Sequence, residues 1–144
     1  MAKKVRVKEL NLETTNEWKR LKQLNHKNIV NSTACFFDPD KELMIIIMEY
    51  CECKFCFIFA NFFTDGDVGR LIQYQRQAGG YFPETDVMKL LIQTCKALSH
   101  AHKKGTLHLD IKPANLFITA SGDLKLGDLG VALNKSVMKK YYGK

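Results

Sequence analysis

The chain has no apolar stretch as long as the roughly 20 residues a helix needs to cross a bilayer. Its longest candidate, Cys51 to Phe63, is broken by Glu52 and Lys54, so no membrane association is expected. The first eight residues carry positive charge but are not followed by the apolar segment of about 7–15 residues that marks a secretory signal. Five cysteines, three of them at positions 51, 53 and 56, are an odd number and make no disulfide framework. They suit a reducing compartment, and the cytoplasm is the expected location. Although Lys+Arg number 22 against 15 Asp+Glu, a net charge of +7, there is no run of five basic residues, so nucleic-acid binding is not expected. Repeats and low-complexity segments are absent as well. What is present is one domain's worth of chain: 144 residues, 46% hydrophobic and 26% charged, enough apolar material for a packed core.

Alternation over Val5–Leu10 has the period of a half-buried strand. Trp18, Leu21 and Leu24 recur at three-residue spacing behind the cap candidates Thr14, Thr15 and Asn16, which predicts a short helix over Glu17 to Leu24. Ile29 to Phe37 and Leu43 to Glu49 read as two strands of a hairpin, turned at Asp38-Pro39-Asp40-Lys41. The following Phe- and Cys-rich run, through Phe63, has neither helical nor strand period. Asp67 to Gln77 reads as a helix stopped at Gly79-Gly80. A longer helix is predicted from Pro83 to His102, with Val87, Leu90, Leu91, Thr94, Cys95, Leu98 and Ala101 as a core-facing stripe. Leu107–Leu109, Asn115–Thr119 and Leu124–Leu126 read as short strands. His26 and His108 are expected in structural roles, and His102 is expected to be buried. His100 and His102, two apart on one helix, share no face and make no metal pair. Cys51, Cys53 and Cys56 lack the fourth ligand that a structural zinc requires.

The chemistry concentrates near the end. His108-Leu109-Asp110-Ile111-Lys112-Pro113-Ala114-Asn115 is followed by Gly127-Asp128-Leu129-Gly130, with Asn115 five residues after Asp110 and Asp128 thirteen after Asn115. These segments resemble the H-R-D-L-x-x-x-N catalytic loop and D-F-G magnesium loop of protein kinases. Carboxylate and amide oxygens hold magnesium there, while another carboxylate orients the hydroxyl that attacks ATP. The resemblance implies that Asp110 is the base or orienting residue and that Lys112 contacts the transferred phosphate. It makes Asn115 and Asp128 the Mg²⁺ ligands. Lys112, two residues after Asp110, is the form found in serine/threonine kinases, which implies protein Ser/Thr hydroxyls as substrate. By the same resemblance Lys8 is the strand lysine and Glu17 its helix C partner. Met48 is the gatekeeper, the hinge runs through Glu49, Tyr50 and Cys51, and Phe117 lies beneath the adenine of ATP.

Within the kinases, Leu24–Val30, Ile111–Thr119 and Lys125–Gly130 look most like the NIMA-related family. The implied architecture is α+β, a truncated bilobal protein-kinase fold. Residues 1–50 would supply part of the β-rich small lobe with helix C. Residues 51–66 would be the hinge with an atypical insert, and residues 67–144 would begin the helical large lobe, reaching into the activation loop, where Ser136 is a phosphorylation candidate. No glycine-rich loop precedes Lys8 and no A-P-E motif follows, so inefficient phosphorylation by the chain as it stands is expected. Leu109 replaces the arginine that pairs with a phosphorylated activation loop, removing that switch. Arg6 stands where a small apolar residue usually caps adenine, and Lys8 and Glu17 are closer in sequence than in the family. The alternative implied role is a non-catalytic module that binds a partner kinase or scaffold. Family likeness also extends the expected location to the cytoskeleton or nucleus.

Overall fold

A computed structural model of the chain describes residues 2–6, 18–19, 22–38, 40, 43–51, 67–129 and 132–134. Lys8, Glu17, the insert after Cys51 and the segment containing Ser136 lie outside the described residues.

Strands β1 (Ala2–Arg6), β2 (Ser32–Asp38) and β3 (Leu43–Met48) form an antiparallel sheet in the order β1-β3-β2. The expected hairpin is β2–β3, with Phe36 opposite Ile45 and a register shift between Ser32 and Ala34. β1 pairs along the other edge of β3, placing Arg6 opposite Leu43. The strand therefore begins earlier than the Val5–Leu10 alternation predicts, and residues 7–10 lie outside the described residues. Residues 18–19 and 22–23 are helical, as expected of the short helix. Leu24 has already left it and is buried in the core.

The predicted strand from Ile29 starts only at Ser32. Ile29 instead bridges Leu126 in parallel, and the Val30 N–H donates to the Leu126 carbonyl at 2.8 Å. The Leu126 N–H donates in turn to the Asn28 carbonyl at 2.8 Å, while Asn28 Nδ2 reaches the Leu124 carbonyl at 2.8 Å. Segment 28–30 thus spends its hydrogen bonds on a strand nearly a hundred residues away.

Helix α1 (Val68–Gln77) is capped by Asp67, whose Oδ1 accepts the Arg70 N–H at 2.9 Å. It ends where Gly79 takes a positive φ of 68°, the left-handed turn glycine favours. Helix α2 (Glu84–Lys103) follows Pro83, with Glu84 and Asp86 in its first turn and Lys103 in its last, complementing the helix dipole. The stripe expected to face the core does so only in part. Ala97 and Ala101 are fully buried and Leu90, Thr94 and Leu98 half-buried, but Val87, Leu91 and Cys95 are exposed. Small residues are buried because α2 packs closely on β4 (Thr106–Leu107) and β6 (Leu124–Leu126). His102 is likewise exposed, contrary to expectation; it lies on the side of α2 turned away from that contact.

The remaining elements are a 3₁₀ turn at Pro113–Asn115, β5 (Leu116–Ile118), which pairs antiparallel with β6, and β7 (Leu133–Asn134), which pairs with β4. The turn claims Asn115, so the strand predicted from Asn115 begins at Leu116. The Leu107–Leu109 strand stops at Leu107 because Leu109 has φ 64°, outside extended backbone. One buried cluster joins the two halves, with Leu24, Ile29, Val30, Ile46 and Met48 against Ala97, Ala101, Leu126 and Leu129. No helix among the described residues is long and apolar enough to cross a membrane.

Candidate active site

Two backbone devices bring the chemistry-bearing residues together. Leu109 and Asp128 are both non-glycine residues at positive φ, 64° and 57°, a conformation costing roughly 1–2 kcal/mol per residue. Such backbone persists only where surrounding contacts over-determine it. His108 supplies those contacts. It is buried, its Nε2 lies 2.8 Å from the Gly127 carbonyl, and its Nδ1 accepts the Asp110 N–H at 3.3 Å. An Nδ1 that accepts leaves Nε2–H as the donor to Gly127. One ring therefore ties the residue before Asp128 to Asp110, the structural role expected of His108.

The β5–β6 hairpin completes the link. Asn115 precedes it and Gly127-Asp128 follows it, and the Gly127 N–H donates to the Asn115 carbonyl at 3.0 Å. Its turn is closed by the Gly122 N–H on the Thr119 carbonyl at 2.9 Å, and Asp123 accepts from the Ser121 hydroxyl at 2.8 Å. Gln93 on α2 clasps the turn from outside: Nε2 donates to Asp123 Oδ1 at 2.9 Å, and Oε1 accepts the Leu124 N–H. Ser121 first, then Gln93, holds the Asp123 carboxyl below its usual range. Gln93 escaped the sequence reading because it lies beside the apolar stripe, not in it, and its partners are 30 and 31 residues away in sequence.

Asp110, Lys112 and Asn115 form one hydrogen-bonded group. Lys112 Nζ is 2.6 Å from Asp110 Oδ2, and the buried Asn115 places Nδ2 3.0 Å from the same oxygen and 2.8 Å from the Asp110 carbonyl. The bond from Lys112, then that from Asn115, holds the Asp110 carboxyl below the usual carboxylate range. It is ionised at neutral pH, ready to accept a hydrogen bond. Helix α1 packs against the turn carrying Asn115, and Asp67 pairs with Phe117 through an isolated bridge.

On the sheet side, Met48 and Cys51 are buried and Glu49 is half-buried. Glu49 Oε1 accepts both the Asn31 N–H at 2.6 Å and Lys125 Nζ at 2.8 Å. The Glu49 N–H donates to the Asn31 carbonyl at 3.0 Å. Burial first, then the Glu49 charge, pushes the Cys51 thiol up, which makes it a poor nucleophile.

Phe117 packs against the edge of the core, directly on Gly127. A Cβ at Gly127 would come within 2.7 Å of the Phe117 ring and 3.2 Å of a Val30 methyl. Gly127→Ala is therefore expected to displace Phe117 and to destabilise the fold by about 1–3 kcal/mol. Urea unfolding would measure this, and adding Phe117→Leu should recover part of the loss; no change with Gly127→Ala would show that the contact yields freely.

Asn115 and Asp128 offer hard oxygen donors of the kind Mg²⁺ prefers, one or two protein oxygens being usual where phosphates supply the rest. The hydrogen bond from Gly127 to Asn115 keeps the two neighbours. Among the described residues no group of three or more His, Cys, Asp or Glu is placed to hold a metal ion by itself. Cys53 and Cys56 lie outside them, as do Lys8 and Glu17.

A loop carrying Asp110 and Asn115, a hairpin and a second loop bearing Asp128 on left-handed backbone follow one another in the order that the resemblance to protein kinases implies. The protein kinase domain family model matches residues 1–142, and the chain belongs to that family. It is similar to mouse serine/threonine-protein kinase Nek1, 32% identical over 142 residues, covering 91% of this chain and 10% of the relative. It is 36% identical over 127 residues to probable serine/threonine-protein kinase nek2 of Dictyostelium discoideum, covering 85% of this chain and 28% of the relative. Chicken serine/threonine-protein kinase STK11 is 34% identical over 112 residues, 78% of this chain and 22% of the relative. The likeness to NIMA-related kinases read from the sequence is thus met by Nek relatives. The chain spans between a tenth and just over a quarter of the length of these proteins.

Proposed function

We propose that this chain carries the nucleotide and catalytic elements of a protein serine/threonine kinase that transfers the ATP γ-phosphate to protein Ser or Thr hydroxyls. Residues 1–50 form the small-lobe portion, 51–66 the hinge with its insert, and 67–144 the start of the large lobe. The observation that carries the reading is the shared Asp110 carboxylate, held by Lys112 and Asn115 and tied through Gly127 to Asp128.

Bound Mg-ATP supplies the transferable phosphoryl group and part of the neutralising charge. Asp110 orients the substrate hydroxyl and accepts its proton through the oxygen now facing Lys112 and Asn115. Lys112 can turn from Asp110 to the transferred phosphate, because its head is half-exposed and its stem is flexible. Asn115 and Asp128 would hold Mg²⁺ through their side-chain oxygens. Met48 is the gatekeeper, backbone groups of Glu49 and Cys51 meet the adenine edge, and Phe117 supports the ring from below. Lys8 and Glu17 complete the phosphate contact by family likeness.

A second reading, an interaction module, is favoured by the exposed row Val87, Met88, Leu91 and Ile92 on α2. Thermal unfolding with and without Mg-ATP separates the two. A working nucleotide site gains about 2.7 kcal/mol when ligand is 100-fold above its Kd, and Asp128→Asn should remove the Mg-dependent part. Absence of stabilisation at millimolar Mg-ATP would refute the nucleotide site and leave the module.

A further inference from the structure

Two imidazoles lie face to face where segment 26–30 meets helix α2. The His26 and His100 centroids are 4.9 Å apart, with ring planes inclined by 27°. His26 Nδ1 accepts the Asn28 N–H at 3.1 Å, so a proton at that nitrogen would set donor against donor. His100 Nε2 is buried and has no hydrogen-bond partner among the described residues, so that nitrogen offers no acceptor-bound proton to balance a charge on the facing ring. The charged and titratable groups acting on His26 are Lys27 from its own segment, Lys96 and His100 from α2, and Lys125 from β6. Every one of them is a cation or becomes one on protonation.

What His26 holds is consequential. Asn28 is its hydrogen-bond donor, and Asn28 fastens segment 28–30 to β6 through the Leu124 carbonyl and the Leu126 N–H. β6 runs directly into Gly127 and Asp128. We propose that the His26–His100 stack is a proton-sensitive joint between segment 26–30 and helix α2, closed while the His26 ring accepts the Asn28 N–H and opened by acidification, which loosens the strand leading to Asp128. Uptake of one proton by His26 Nδ1 breaks the Asn28 bond and puts a cation against His100 and the lysines. Burial first, then these neighbours, lowers the His26 value from its ordinary 6.5. A folded-state value below the unfolded one stabilises the fold above about pH 6.5, and that stability is lost as pH falls through the folded value. The joint rests on the fold alone and would hold whether or not the chain transfers phosphate.

Titration of the 144-residue chain by NMR, following the His26 ring and the Asn28 amide together, tests this. Both should move with one shared midpoint below the ordinary histidine value, and the thermal midpoint should drop between about pH 7.5 and about pH 5.5. His26→Asn keeps a side-chain acceptor but cannot titrate, and it should flatten most of that drop. An Asn28 amide that stays still while His26 titrates overturns the joint. So does a His26→Asn chain with the parent's pH dependence. Should the variant fail to fold, the amide titration of the parent still decides.

Discussion

Asp110→Asn is expected to lower phosphotransfer by about 10²–10⁴-fold, the contribution usual for a positioned acid–base group. Asp110 Oδ2 receives Lys112 Nζ at 2.6 Å and Asn115 Nδ2 at 3.0 Å. An asparagine whose side-chain oxygen takes the place of Oδ2 can still receive both donors, but it accepts no proton and offers Lys112 no charge. The loop should keep its backbone, because its anchors are the His108 ring and the Asn115 bond to the Asp110 carbonyl. The loss should therefore fall on kcat, with little change in Mg-ATP stabilisation. Since Lys112 and Asn115 hold the Asp110 carboxyl below its ordinary 3.8, an acid limb near neutral pH would belong to another group. The measurement is the single-turnover transfer rate of the protein as cells produce it, parent against variant. An unchanged rate means that Asp110 is not the base.

How far the sequence carries this site follows from how local each signal is. Asp110, Lys112, Asn115 and Asp128 were legible because two short motifs stand at a spacing that the β5–β6 hairpin requires. Helices α1 and α2 were legible through Asp67, Gly79 and Pro83, whose capping and breaking effects act within a turn. Ile29 was misassigned for the opposite reason. Its apolar neighbours extend the pattern of β2, and nothing local reveals that its partner is Leu126. The Glu49–Lys125 ion pair, 76 residues apart in sequence, left no local trace either. Periodicity on α2 indicated a face but not its cover, so Val87 and Leu91 were placed in a core that only Ala97 and Ala101 enter fully. His100 was weighed as a ligand with His102, whereas its partner is His26.

That distinction between a patterned face and a covered one yields the last prediction. Leu126 is 1% exposed and meets Ile29 and Val30 where the two halves share a core. Leu91, on the apolar face of α2, is 54% exposed. Leu126→Ala removes buried methyl groups and leaves a cavity that the surrounding β5–β6 hairpin and segment 28–30 cannot fill, since both are pinned by the hydrogen bonds of Asn28. The expected loss is about 2–5 kcal/mol, a large fraction of the roughly 5–15 kcal/mol a domain possesses. It corresponds to a fall in melting temperature of about 4–20 °C. Leu91→Ala should stay within about 0.5 kcal/mol of the parent, as surface substitutions do. Parallel thermal and urea unfolding of the two variants reads the difference directly. Equal losses would mean that the α2 face is covered in solution after all, and that the stripe drawn from its periodicity was right about Leu91.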